Sequence, residues 1–223
     1  MTLPARSLAN DALGKDALAD DALANDALPN DARAVLDFWF GPPEDPGYRT
    51  TRRQWFAKDD AFDASIAQRF GRLIEQALAG GIDEGLSPPP QALPLLAKII
   101  VLDQFTRNSF RGSARAFAGD AMALHTAQML VDSGADRSLT GVQRQFAYLP
   151  FEHAEDLAQQ RRAVALFSQL ERDEPALKDL ALWAQRHMDI VARFGRFPHR
   201  NAALGRASSA DELAFLLTPG SAF

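Results

Sequence analysis

The chain contains no cysteine. That excludes a disulfide framework, a thiolate nucleophile and any Cys-ligated zinc or iron–sulfur centre. Positive charge is not in surplus either. Lys+Arg 24 stand against Asp+Glu 29, a formal net of −5, which disfavours a broadly basic nucleic-acid binder. No apolar run approaches the roughly 18 residues of a membrane span, and the first residues lack the apolar core of a secretory leader. No stretch alternates apolar and polar positions with β-branched enrichment, so strands are not expected. A Gly-rich phosphate loop, an HExxH and a paired Glu-x-x-His are all missing, so no cofactor and no metal site is predicted. What remains is 223 residues, 47% hydrophobic and 24% charged, an ordinary globular balance. A soluble, cytoplasmic protein without membrane or nucleic-acid partners is expected.

Residues 10–34 read NDALG, KDALA, DDALA, NDALP, NDARA. A step of five residues turns a helix by about 140°, since each residue advances it about 100°. Leu13, Leu18, Leu23 and Leu28 would therefore spread around the axis instead of forming a seam. Residues 1–29 read as a mobile, low-complexity Asp-Ala-Leu tail. Over residues 1–31, Arg6 and Lys15 face Asp11, Asp16, Asp20, Asp21, Asp26 and Asp31, a net of −4 that leaves −1 for the rest. The folded body, residues 30–223, is nearly neutral.

The body reads as helices throughout. Asn30 and Asp31 open the first after Pro29, and Gly41-Pro42-Pro43 stops it. Asp59-Asp60 opens a second, whose Phe62, Ile66, Phe70, Leu73, Ile74 and Ala77 recur at steps of three and four. Leu93 to Phe105 is apolar nearly all round, the mark of a central buried helix. Further helices are predicted over Ala114–Val131, Val142 to about Gln160, Arg161–Leu170, Ala176–Phe194 and Asp211–Leu217. The expected fold is all-α, about eight or nine helices in antiparallel pairs.

Three stretches carry polar residues where an apolar face is expected. In LDQFTRNSFRG, Asp103 follows Ile99 by four residues, Arg107 follows Asp103 by four, and Arg111 follows Arg107 by four. A buried carboxylate needs a partner. Asp103–Arg107 supplies one and leaves Arg111 for an anion; an ion-pair staple at a helix end fits equally. In YLPFEHAEDL, Val142, Phe146, Leu149, His153 and Leu157 share a face, so His153 points inward. Asp156 follows by three, with Glu152 and Glu155 beside it. A carboxylate that fixes an imidazole tautomer suits proton transfer, and a satisfied core histidine has the same pattern. In HMDIVARFGRFPHRN, His187 lies on the stripe of Leu180, Trp183, Ile190, Val191 and Phe194. Gly195 suits a helix end and Pro198 a helix start. His199, Arg200 and Asn201 then sit at unpaired backbone N–H groups, where with Arg196 they could hold an anion. Turn and cap chemistry would use the same residues.

These stretches resemble an uncharacterised family of bacterial and some eukaryotic proteins, the domain of unknown function 924. The matching text is FWFG near Trp39, LDQFTRNSFRGSARAFAGD at 102–120, LPFEHAEDLAQQ at 149–160 and FGRFPHRNAALGR at 194–206. A familiar form of the first long motif has Pro where Thr106 stands here. The resemblance implies a helical fold similar to tetratricopeptide-repeat superhelices and no known reaction. Carried over by position, it implies site residues Asp103, Arg107, Asn108, Arg111, His153, Glu155, Asp156, His187, Arg196, His199, Arg200 and Asn201.

Inward histidines and arginines in one helical body are economically explained by a shared polar cavity, since each buried polar group needs a partner. The expected function is binding of a small anionic molecule, with His153 and Asp156 available for acid–base chemistry. The alternative is a non-catalytic helical scaffold for a peptide or protein partner.

Overall fold

A computed structural model describes residues 28–81 and 91–221. The Asp-Ala-Leu tail lies outside them except for Leu28 and Pro29, and Leu28 already packs against the core. Among the described residues every regular element is helical: α1 Asn30–Phe40, α2 Asp60–Leu78, α3 Ala92–Ile99, α4 Thr106–Ser109, α5 Asp120–Asp132, α6 Gly141–His153, α7 Leu157–Asp173, α8 Leu180–Phe194 and α9 Ala210–Leu216. Short 3-10 turns lie at Arg53–Trp55, Ala114–Phe117, Ala135–Ser138 and Pro198–Arg200. No helix among the described residues is long and apolar enough to cross a membrane.

Local chemistry explains where helices begin. The Asp59 carboxylate accepts the N–H groups of Ala61 and Phe62. Thr140 with Gln143, and Ser209 with Glu212, form reciprocal capping boxes at α6 and α9. Packing follows the chain, with α7 lying against both α6 and α8. The main core is aromatic. Trp39 is fully buried, 5.7 Å from the Phe105 ring and 5.5 Å from that of Phe146. A smaller cluster of Ile190, Val191 and Phe197 joins α8 to the segment after it.

The last long helix begins at Leu180 instead of Ala176, and three other boundaries differ from the expectation for a definable reason. The run from Leu93 to Phe105 is not one α-helix: α3 ends at Ile99 and Ile100–Phe105 forms a π-helical segment. The wider i→i+5 winding turns six consecutive residues inward, Asp103 and Gln104 among them. Just beyond it the Thr106 hydroxyl donates to the carbonyl of Leu102 at 2.8 Å. The helix expected over Ala114–Val131 is divided into a 3-10 turn at Ala114–Phe117 and a helix that starts at Asp120, and the backbone of Leu102 passes against Gly119 at the junction. A Cβ on Gly119 would lie 2.1 Å from the Leu102 carbonyl oxygen. The helix expected to run from Val142 to Gln160 ends at His153, and Asp156 caps the next one by accepting the Gln159 N–H.

Candidate functional site

The π-segment delivers the central carboxylate. Phe105 fixes it in the core against Trp39 and Phe70, and Asp103 then faces α6 with no exposure to solvent. Asp103 Oδ1 accepts from His153 Nδ1 at 2.8 Å and lies 2.9 Å from Arg107 Nη1. Oδ2 accepts from Gln104 Nε2 at 2.6 Å. Burial alone would raise the pKa of this carboxyl. The charges of Arg107 and His153 outweigh it and hold the group well below the usual carboxylate range, so it is ionised.

An ionised Asp103 is acceptor-only, so His153 must present a protonated Nδ1 to it. The lone pair of the neutral ring then lies on Nε2. Burial, followed by the Arg107 charge, lowers the His153 pKa despite the carboxylate. The lone pair is therefore present at neutral pH.

Arg107 carries the cluster onward. It donates to Asp120 at the start of α5 from Nη2 at 3.1 Å, and its Nη1 lies 2.9 Å from the second oxygen of that carboxylate. Arg200 reaches the same carboxylate from the far end of the chain, donating from Nη1 at 3.0 Å. Its guanidinium packs on two rings, 4.7 Å from the centroid of Phe117 and 4.6 Å from that of Phe197. Burial, then the neighbouring Arg107, pushes the Arg200 pKa down.

A second imidazole stands beside the first, with ring centroids of His153 and His187 6.5 Å apart. His187 Nδ1 lies 2.9 Å from the carbonyl of Trp183, one turn back, and 3.0 Å from Glu152 Oε1. A carbonyl only accepts, so Nδ1 carries the proton and Nε2 the lone pair. The contact with Glu152 is a neutral one, not an ion pair. Burial, with the Asp103 charge added, pushes Glu152 up to about 8. Burial likewise pushes His187 down to about 3. His199 falls to about 4 through burial and then the Arg200 charge.

These directions fix a pH dependence. A glutamate whose folded pKa is raised binds its proton more tightly in the folded state. It therefore lowers stability as pH climbs from the unfolded value, 4.5, towards about 8. His187 and His199, depressed from 6.5, favour folding more as pH rises to 6.5 and add no slope above it. Between pH 6.5 and 8 the Glu152 slope, about 1.4 kcal/mol per pH unit at most, stands without theirs. Glu152→Gln, a neutral isostere, is expected to lose that slope and to exceed the parent in stability at pH 8. Urea unfolding at the two pH values measures it; equal slopes in parent and variant would contradict the neutral carboxyl.

Asp103, Arg107 and His153 thus meet in one cluster, with His187 beside them and Arg200 joined to it through Asp120; the His199 ring lies 5.6 Å from that of Phe197. The other predicted site residues do not make direct contact with Asp103 and His153, the hydrogen-bonded dyad at the centre of the cluster. Asp156 is the cap of α7, and the carboxylate that orients His153 is Asp103, fifty residues earlier in the chain. Arg111 is not left for an anion: it grips Asp63 of α2 from Nε and Nη2 at 2.9 and 3.0 Å, and Asn108 donates to the same carboxylate. Arg196 is held by Glu212. Glu155 accepts the Phe197 N–H at 2.8 Å and forms a two-pronged pair with Arg206, which also donates to Asn201. Glu155 and Asn201 therefore frame the Phe197–Arg200 turn. That turn is a three-residue 3-10 element, too short for the helix-terminus anion seat expected there. Asp120, Glu152, Gln104 and Phe117 were not predicted. Asp120 closes the motif at 102–120, which was the available signal; Glu152 had none beyond its place beside His153.

Among the described residues no group of three or more His, Asp or Glu side chains is arranged to hold a metal ion. No functionally curated protein matches the chain. A solved structure, that of the protein of unknown function ATU0120 from Agrobacterium tumefaciens, is similar at 38% identity with a TM-score of 0.70. The match covers 83% of this chain and 96% of that one. Residues 35–220 match the family described as bacterial protein of unknown function (DUF924). That match spans the π-segment, both histidine helices and the Arg200 turn, and the chain belongs to this family.

Proposed function

We propose that the chain binds a small anionic molecule at the Asp103–His153–Arg107–Arg200 cluster, with His153 Nε2 as its proton acceptor. One observation carries the reading: the 2.8 Å bond from His153 Nδ1 to a fully buried, ionised carboxylate. A carboxylate that orients an imidazole and leaves the opposite nitrogen basic is the arrangement of a general base. Arg200 beside it, with its buried Nε unpaired, supplies a charged donor for an anion. Burial keeps the imidazole neutral, so at neutral pH it accepts a proton instead of already holding one. Asp103 acts through His153 and is a positioning residue; Asp156, at the helix cap, has no part in the proton transfer.

His153→Ala tests this against a purely structural role. Asp103 retains Arg107 and Gln104 in that variant, so stability is expected to change by less than about 1 kcal/mol, a shift of roughly 2–4 °C in Tm. Any thermal stabilisation by carboxylate or phosphate metabolites should weaken, because stabilisation follows the ratio of ligand concentration to Kd. A loss of 3 kcal/mol or more on removing His153, with ligand responses intact, would make it a structural residue.

A further inference from the structure

Arg200 has one side of its guanidinium in use and one side idle. Nη1 donates to Asp120 at 3.0 Å. Nε is buried without an acceptor, and Nη2 makes no hydrogen bond among the described residues. The side chain is only 7% exposed. A buried charged donor left unmade is costly, and native structures seldom leave one so without a reason.

The rest of the molecule shows what that edge holds when it is occupied. Arg111 presents the same pair, Nε and Nη2, to Asp63 at 2.9 and 3.0 Å. Arg196 presents it to Glu212 at 2.6 and 2.8 Å. In both, two parallel N–H donors meet the two oxygens of a carboxylate. At Arg200 the rings of Phe117 and Phe197 lie against the guanidinium, so approach is left to the plane of the group. A flat, two-oxygen partner fits such an edge. Charge favours a single negative unit. Arg107 and Arg200 are already set against Asp103 and Asp120; a monoanion upsets that balance by one unit, a phosphate dianion by two.

We propose that the Nε–Nη2 edge of Arg200 seats the carboxylate of a small organic acid, which makes that class of molecule the ligand of the His153 site. The inference rests on the anion-binding reading above and narrows it.

The test is a titration of the full chain with acetate, benzoate and inorganic phosphate, followed by nitrogen-15 NMR. The Arg200 Nε–H and His153 Nε2 signals are read in the same samples. Both carboxylates should move the Arg200 Nε–H signal in a saturable way, and phosphate should bind at least tenfold more weakly. Arg200→Lys keeps the charge and removes the two-pronged edge, so it should weaken carboxylate binding at least tenfold. An Arg200 signal that stays still while His153 responds overturns the carboxylate seat and leaves the anion-binding reading standing. Neither signal moving with any of the three overturns both. An Arg200 signal that answers only to phosphate overturns the choice of ligand class.

Discussion

Arg107→Ala is expected to cost about 3–5 kcal/mol of stability, the range seen when one partner of a buried ion pair is removed. The guanidinium serves two carboxylates at once, lying 2.9 Å from Asp103 and 2.9 Å from Asp120. Without it, Asp120 keeps Arg200, but Asp103, fully buried, keeps only His153 and Gln104. The Arg107 charge also depresses His153, so its removal lets the imidazole hold a proton and replace the missing cation. The sign follows from linkage. A depressed histidine costs stability as pH falls below 6.5, and in the variant His153 is depressed less than in the parent because the Arg107 charge is gone while burial remains, so the variant loses less as pH falls. The deficit of the variant should therefore be smaller at pH 5.5 than at pH 8. Arg107→Lys, which keeps a charge but not the two-armed geometry, should fall between parent and alanine. Chemical denaturation at both pH values provides the check; a deficit under 1 kcal/mol at pH 8 would mean that Asp103 does not depend on Arg107.

Gly119→Ala is the second large effect. Its φ of −89° suits any residue, so the constraint is space and not backbone freedom. The added Cβ would stand 2.1 Å from the Leu102 carbonyl oxygen and 2.9 Å from its carbonyl carbon. Those are backbone atoms of the π-segment, and no flexible side chain is available to swing away. Overpacking of this kind costs about 1–3 kcal/mol and sometimes more. The displaced peptide is the one that precedes Asp103, and the displaced helix begins with Asp120. The same methyl group should therefore loosen the link from Asp103 through Arg107 to Asp120, and lower any ligand-induced rise in Tm. A variant with the parent's Tm would show that this contact is less tight than the distances imply.

The all-helical fold and its punctuation were legible in the sequence because they depend on local chemistry. Asp59 caps, Gly195 takes the left-handed conformation at φ 70° that ends α8, and the four-and-three spacing of Ile66, Phe70, Ile74 and Ala77 gives a buried face. The π-segment was not legible. Its residues have no distinctive propensity, and what holds Ile100–Phe105 in that winding is tertiary, from the Phe105 packing to the glycine at 119. The same distinction governs the site. His153, His187 and Arg200 could be found, since polar residues on apolar faces need partners. Their partners could not, because Asp103 meets His153 across fifty residues and Asp120 meets Arg200 across eighty. Nearness in sequence pointed to Asp156 instead, and that carboxylate is used by a helix end. Arg111 and Arg196 were indistinguishable from Arg200 as text. Only the fold brings Asp63 and Glu212 to the first two and leaves the third with an edge to spare.

The protonation state of His153 bears most directly on all of this. Nitrogen-15 NMR of the imidazole at pH 7 should find a proton on Nδ1, an unprotonated Nε2, and a titration midpoint below the ordinary 6.5. A proton on Nε2 with Nδ1 bare, or an imidazolium that persists through pH 7, would contradict the dyad and the base it provides.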